Sequence, residues 1–205
     1  MIMPSYLMPY PSSGKGNDKK ILRAVESVRK QSFQDWELII VADGCKLTVE
    51  IMDRYLKENK DERISFYCID KQKLFSGGVR NYGIGKAKGD YIVYLDVDDI
   101  WGENHLSIID QGLKANDWVF FNDIRYDKRQ EMWYENKCDV DKLNKNGTSN
   151  ICHKRSIPVS WGDGYAHDFH FIEQLKRSGK YSEIECGEYY VCHVPNSLLG
   201  RGYDL

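Results

Sequence analysis

Gly89-Asp90-Tyr91-Ile92-Val93-Tyr94-Leu95-Asp96-Val97-Asp98-Asp99-Ile100-Trp101-Gly102 is the stretch from which the rest of the chain is read. Tyr91 to Leu95 is aromatic, β-branched or aliphatic throughout and carries no charge. A short, bounded apolar run of this kind fits a strand buried on both faces of a sheet. It breaks at once into three carboxylates within four positions, Asp96, Asp98 and Asp99. Carboxylates crowded at a strand end repel one another and are costly without compensation. A hard cation such as Mg²⁺ or Mn²⁺ is one compensation, since it takes carboxylate oxygens and shares them with substrate phosphates. Open α/β sheets also hold their ligands beyond the carboxyl ends of strands. Asp96 and Asp98 are therefore candidates for a metal–phosphate site; the competing reading is an acidic turn that caps the next helix.

Working outward, Met1–Tyr6, 36–42, 64–69 and 118–121 have the apolar character of strands. Residues 18–31, 48–59 and 104–116 have helical spacing, with stripes such as Ile21, Leu22, Val25 and Val28. Residues 79–87 are also helical in spacing but contain Gly83 and Gly85. Each glycine inside a helix costs about 1 kcal/mol, so both are expected where a neighbour or ligand comes close. The order βαβαβαβαβ predicts a mainly parallel sheet with helices on both faces. After Arg125 the chain turns polar and irregular, with short strands expected at 132–135 and 150–153, a helix at 168–178 and a strand at 189–194. There is no internal repeat. One domain over 1–205 is expected, with a ligand-binding half (1–125) and an acceptor-facing half (126–205).

The chain has 205 residues, 29 basic against 31 acidic. No basic stripe points to nucleic acid, and no apolar run reaches the roughly 18 residues of a membrane span. The opening residues lack a basic n-region and contain Pro4 and Pro9, a poor signal peptide. Six cysteines without CxxC spacing read as reduced thiols. Together these place the chain in the cytoplasm.

Several pieces, taken in order, resemble the family 2 glycosyltransferases of the GT-A fold. They are Pro4-Ser5-Tyr6, Ala24-Val25-Glu26-Ser27-Val28, Gln31-Ser32-Phe33, Trp36-Glu37-Leu38-Ile39-Ile40-Val41, Asp43-Gly44, Arg80-Asn81-Tyr82-Gly83-Ile84, Ala87-Lys88-Gly89-Asp90-Tyr91-Ile92 and Leu95-Asp96-Val97-Asp98-Asp99. The resemblance covers the first 125 residues and only patches beyond. It implies a GT-A domain that moves a sugar from a UDP-sugar to an acceptor hydroxyl with inversion, in glycan or glycoconjugate synthesis, using Mn²⁺ or Mg²⁺. Ser5 and Tyr6 would line the base pocket and Asp43 would accept a hydrogen bond from uracil. Arg80 would sit near the diphosphate or brace the metal loop. Asp96 would touch ribose or a metal-bound water, with Val97 beside it, and Asp98 would ligate the metal, joined by the late His193. The family usually carries two acids before the glycine of the second strand; here the first is Ala42.

Gly164-Tyr165-Ala166-His167-Asp168-Phe169 resembles the family's acidic motif at a helix start. His167 stands where the first acid is usual, so the resemblance carries Asp168 over as the catalytic base; the competing reading is that Asp168 merely caps the helix. A helix N-terminus favours an ionised carboxylate, and a base must be deprotonated. Asp99, Trp101, Trp161 and His167 are further candidates for contact with the acceptor or sugar; burial in the core is the competing reading for both tryptophans. Rival functions compete with this reading. Asp96-Val97-Asp98 resembles the nucleophile loop of HAD phosphohydrolases, but that loop belongs on an early strand with later Lys and acidic partners. The other rival is a nucleotide-sugar-binding module without a working base.

Overall fold

The computed structural model describes residues 1–8, 17–72, 75–127 and 129–192. In chain order these form β1 (Ile2–Ser5), α1 (Asn17–Arg29), β2 (Leu38–Asp43), α2 (Lys46–Glu58), β3 (Ile64–Ile69), α3 (Gly77–Lys86) and β4 (Tyr91–Val93). There follow β5 (Ile100–Trp101), α4 (His105–Ala115), β6 (Trp118–Phe120), β7 (Asp123–Asp127) and β8 (Met132–Asn136). A 3-10 turn (Thr148–Asn150), β9 (Ile151–Lys154), α5 (His167–Ser178), β10 (Tyr181–Glu183) and β11 (Tyr189–Val191) complete the order.

Successive strand residues face opposite sides of a sheet, and here that alternation sorts the apolar residues into two cores. Met3, Leu38, Ile40, Val93 and Val119 belong to the first, while Ile2, Ile39, Val41, Ile92 and Trp118 belong to the second. The first core is covered by α1, α2 and α4, through Ile21, Val25, Met52, Ile109 and Leu113. The second is covered by α3 and α5, through Val79, Phe171, Ile172 and Leu175. The result is the expected three-layer α/β arrangement.

β1, β2 and β3 pair in parallel. β4 joins β1 through a parallel bridge, Ile2 to Tyr94, and the Leu95 N–H donates to the Ile2 carbonyl at 3.1 Å. The departure from a simple βα alternation comes next. β4 and β6 are not neighbours, because β9 lies between them and runs antiparallel to both. β10 then adds to β6 in parallel. The second half of the sequence is thus built into the sheet of the first. A smaller sheet in the order β5-β11-β7-β8 packs beyond the acidic loop. β7, with the sequence Asp-Ile-Arg-Tyr-Asp, and the three-residue β10 escaped prediction because neither has an apolar run.

Gly83 answers its expectation: a Cβ there would lie 2.6 Å from Ile2 Cγ2, so α3 sits directly on β1. Gly85 does not, having no neighbour within 4 Å of that position. Among the described residues no helix is long and apolar enough to cross a membrane. All six cysteines are free thiols.

Two histidines are sealed in the cores. His105 stacks on Trp101 with ring centroids 4.4 Å apart, and its Nδ1 lies 3.3 Å from Cys186 Sγ. His153 Nε2 accepts from the Tyr94 hydroxyl at 2.8 Å, and its Nδ1–H donates to the Lys154 carbonyl at 2.9 Å. Burial lowers His105 from 6.5 to about 3 and His153 to about 4.

Gly83→Val should cost about 1–3 kcal/mol by overpacking against Ile2, whereas Gly85→Ala should stabilise by about 0.5–1 kcal/mol; urea unfolding reads both. The depressed histidines set the sign of the acid response. Above pH 6.5 their contribution is fully present. Below it the unfolded chain gains protons that the fold refuses, so stability falls toward pH 4 with a slope of up to about 1.4 kcal/mol per unit for each histidine. His153→Gln should flatten the unfolding midpoint plotted against pH.

Candidate active site

The carboxyl ends of β1, β2, β3 and β4 open onto one cleft of about 580 Å³. Its walls hold Ser5, Tyr6, Asp43, Arg80, Asp96, Val97, Asp98 and His167, all singled out from the sequence. Pro4, Ser76 and Val79 also line it, as do Lys71, Phe75 and Thr148, which were not foreseen as site residues.

At one end, Ser5 Oγ lies 2.9 Å from Thr48 Oγ1. Asp43, buried at the end of β2, receives the Lys71 ammonium on Oδ2 and the Gln72 N–H on Oδ1, each at 2.6 Å. Lys71 Nζ also sits 4.6 Å from the Tyr6 ring centroid, within cation–π range. Gly44, at φ +60°, makes this possible: a Cβ there would lie 2.7 Å from Lys71 Cβ, and positive φ favours glycine. Each Asp43 oxygen keeps a lone pair for a ligand.

The acidic loop departs from its expected state. Its carboxylates do not crowd together awaiting a cation. The Arg80 guanidinium, only 2% exposed, donates to Asp96 Oδ1 and Thr148 Oγ1 at 2.7 Å each, and also to Ser76 Oγ. Ser149 donates to Asp96 Oδ2 at 2.8 Å. Asp99 turns inward, accepting the Tyr189 hydroxyl at 2.7 Å and the Cys192 N–H at 2.8 Å. Burial and the nearby Asp99 and Asp96 push the Tyr189 phenol well above its usual range, so it stays a donor. Asp99 is therefore corrected from an acceptor contact to an internal anchor between the loop and β11. Asp96, charge-compensated by Arg80 and still a third exposed at the cleft wall, fixes the Arg80 guanidinium there. Asp98 lines the cleft, and its carbonyl accepts from Arg23 Nη2 at 2.8 Å.

Among the described residues no three His, Cys, Asp or Glu side chains gather to hold a metal. The donor set nonetheless fits a hard ion of the Mg²⁺ type, which commonly rests on one or two carboxylates and substrate phosphates. Asp98, in the cleft wall, would supply that carboxylate. His193 lies outside the described residues; Cys192, just before it, is bonded to Asp99 of the acidic loop.

Both tryptophans are core residues, which corrects their assignment to sugar stacking. Trp101 is 2% exposed and stacks on His105. Trp161 is 3% exposed and lies flat on Phe171 at 3.8 Å, its indole N–H donating to Tyr94 at 3.0 Å. Asn81 brackets the Trp161 backbone, donating to its carbonyl at 2.8 Å and accepting its N–H at 2.9 Å. The chain entering α5 is thereby tied to α3, the helix that carries Arg80. Ala166, at φ +62°, turns it into the helix. His167 reaches the cleft wall. Asp168 follows in the first turn, where one carboxylate oxygen accepts the Phe169 N–H at 2.8 Å.

Comparison with known proteins bears on this cleft. The family model described as Glycosyl transferase family 2 matches residues 15–158. Glycosyltransferase GlyG of Streptococcus pneumoniae is 31% identical over 133 residues, 63% of this chain and 42% of that protein. The Escherichia coli UDP-Glc:alpha-D-GlcNAc-diphosphoundecaprenol beta-1,3-glucosyltransferase WfgD is 26% identical over 202 residues, 94% of this chain and 74% of that one. A crystal structure of S. aureus TarS 1-349 in complex with UDP-GlcNAc superposes with a TM-score of 0.70 at 16% identity, covering 93% of this chain and 57% of that one. The likeness to TarS supports the GT-A fold. The chain spans less than half the length of the first curated relatives it matches.

Asp99→Ala should cost about 2 kcal/mol or more, because it strands two buried donors. Urea unfolding followed by circular dichroism measures the loss. Asp99→Asn, which keeps one acceptor, should recover part of it.

Proposed function

The chain belongs to glycosyl transferase family 2, and from that premise we propose that it binds a UDP-sugar and transfers the sugar to a hydroxyl of a glycan or glycoconjugate, with inversion. One observation carries this reading. Ends of four strands, the start of α3, the 3-10 turn and the start of α5 deliver Tyr6, Asp43, Lys71, Arg80, Asp98, Thr148 and His167 to a single cleft. That set pairs a base-sized pocket with a cation and a carboxylate for a diphosphate.

In this reading Tyr6 offers its ring to the base, and the paired Asp43 and Lys71 offer an acceptor and a donor to its polar edge. Uracil, with an imide N–H beside a carbonyl, suits that edge. Arg80 is held by Asp96 and Thr148, so it presents positive charge at the diphosphate without reorganising. Asp98, joined by His193, would hold Mn²⁺ or Mg²⁺, which neutralises charge building on the departing diphosphate. The acceptor hydroxyl attacks from the α5 side, opposite the leaving group, and its proton is taken at the start of that helix. Nothing in the comparisons favours a phosphohydrolase. The family match runs through the acidic loop, and Asp96, which would have to act as nucleophile, is engaged by Arg80 and Ser149.

Calorimetry with UDP and Mn²⁺ tests the donor site. Asp98→Ala should weaken Mn²⁺-dependent UDP binding at least tenfold, about 1.4 kcal/mol, with little change in metal-free binding. Undiminished cooperative binding of UDP and Mn²⁺ would remove the metal role from Asp98. Lys71→Ala should weaken UDP about tenfold and leave inorganic diphosphate unaffected.

A further inference from the structure

We propose that His167, through Nε2, is the catalytic residue that accepts the proton of the attacking hydroxyl. The proposal rests on the transferase reading above and names the atom within it. His167 is the α5 residue in the cleft wall, shared with Asp96, Val97 and Asp98. Its Nδ1 lies 3.1 Å from the Gly164 carbonyl. A carbonyl only accepts, so Nδ1 carries the hydrogen and the neutral ring keeps its lone pair on Nε2. That nitrogen is shielded and has no hydrogen-bond partner among the described residues. A buried polar atom left without a partner is costly, and such atoms call for a functional explanation.

The surroundings fix the ring rather than use its free nitrogen. Trp161 lies 5.9 Å from it and is itself locked against Phe171 and bracketed by Asn81. Phe75 lies 5.2 Å away on the cleft side, half exposed and held at φ +53°. A positive φ at a bulky residue is strained and marks functional positions. Nε2 is covered in this structure, so the ring or its cover has to shift as an acceptor sugar docks against Phe75 and brings a hydroxyl to it. Asp168 accepts the Phe169 N–H on one oxygen and keeps its other lone pairs, so the variants His167→Ala and Asp168→Asn are compared to separate the two candidates.

The step balances without an external reagent. The acceptor oxygen forms a bond to the anomeric carbon while the bond from that carbon to the diphosphate oxygen breaks, its electron pair leaving with UDP. The hydroxyl proton passes to Nε2, giving an imidazolium whose Nδ1–H remains on Gly164. Release of that proton to water after the product departs restores the neutral ring.

The test uses the full chain with Mg²⁺ and UDP-glucose or UDP-N-acetylglucosamine, following UDP release with water as acceptor and UDP affinity by calorimetry. His167→Ala should lower kcat at least about 100-fold and leave UDP affinity within twofold. Added imidazole should restore a measurable part of the rate, while Asp168→Asn should lose less than His167→Ala. Turnover of His167→Ala within a few-fold of the parent would overturn the proposal. So would loss without imidazole rescue combined with full activity in His167→Gln, because that variant keeps the shape and lacks a base. Failure of the unaltered chain to bind UDP would instead sink the transferase reading, and calorimetry shows it before any rate is measured.

Discussion

The pair between the buried Arg80 and the partly exposed Asp96 is the constraint around which the cleft is assembled. Arg80 comes from α3, Asp96 from the loop after β4, and Thr148 and Ser149 from the turn before β9. These segments meet because a guanidinium that is 2% exposed must find acceptors. Breaking such a pair is far more damaging than its net worth suggests, since the surviving charge is left uncompensated. The pair therefore ties the ends of α3 and β4 to the chain entering β9. β9 in turn is the strand that sews the second half of the sequence between β4 and β6.

That geometry changes how the acidic loop is understood. Charge repulsion alone suggested that the carboxylates wait for a cation. In the fold, Asp96 is answered by Arg80 and Asp99 by Tyr189 and the Cys192 N–H. Asp98 lines the cleft beside them. Spreading the three acids over different tasks keeps the loop ordered before any ligand arrives, which is what preorganised electrostatic stabilisation requires. Asp99 also fastens β11, so the last described strand and the ligand loop share one anchor.

Much of the first half was legible because period and punctuation act locally. Strand alternation, the helical stripe of α1 and the glycine that lets α3 rest on Ile2 each leave a mark within a few residues. The contacts of Lys71 with Asp43, and of Thr148 and Ser149 with Asp96, leave none. They join residues far apart in the chain, and Lys, Thr and Ser are ordinary surface types. The insertion of β9 was hidden for the same reason: periodicity announces a strand but not its neighbour. Trp101 and Trp161 misled because an aromatic near a site motif looks the same in sequence whether it faces a sugar or a core. Burial decided against the sugar for both.

The histidines show why residue type is a weaker guide than surroundings. His153 spends both ring nitrogens on internal partners, Tyr94 and the Lys154 carbonyl, so it has nothing to offer a ligand. The titratable groups beside His105 are Cys186, a thiol that burial pushes to about 12, and the Tyr189 phenol, which burial also raises, so its surroundings are neutral. His167 differs in one respect that matters for chemistry. Its first nitrogen is anchored to Gly164, its second is unspent, and the ring stands in the wall of a cleft that also holds a carboxylate and a cation. His105 also keeps an idle Nε2, but that ring is sealed in the core; it is the place in the cleft wall that sets His167 apart. On the assignment proposed above, the proton acceptor stands one residue before Asp168, on the same turn of α5.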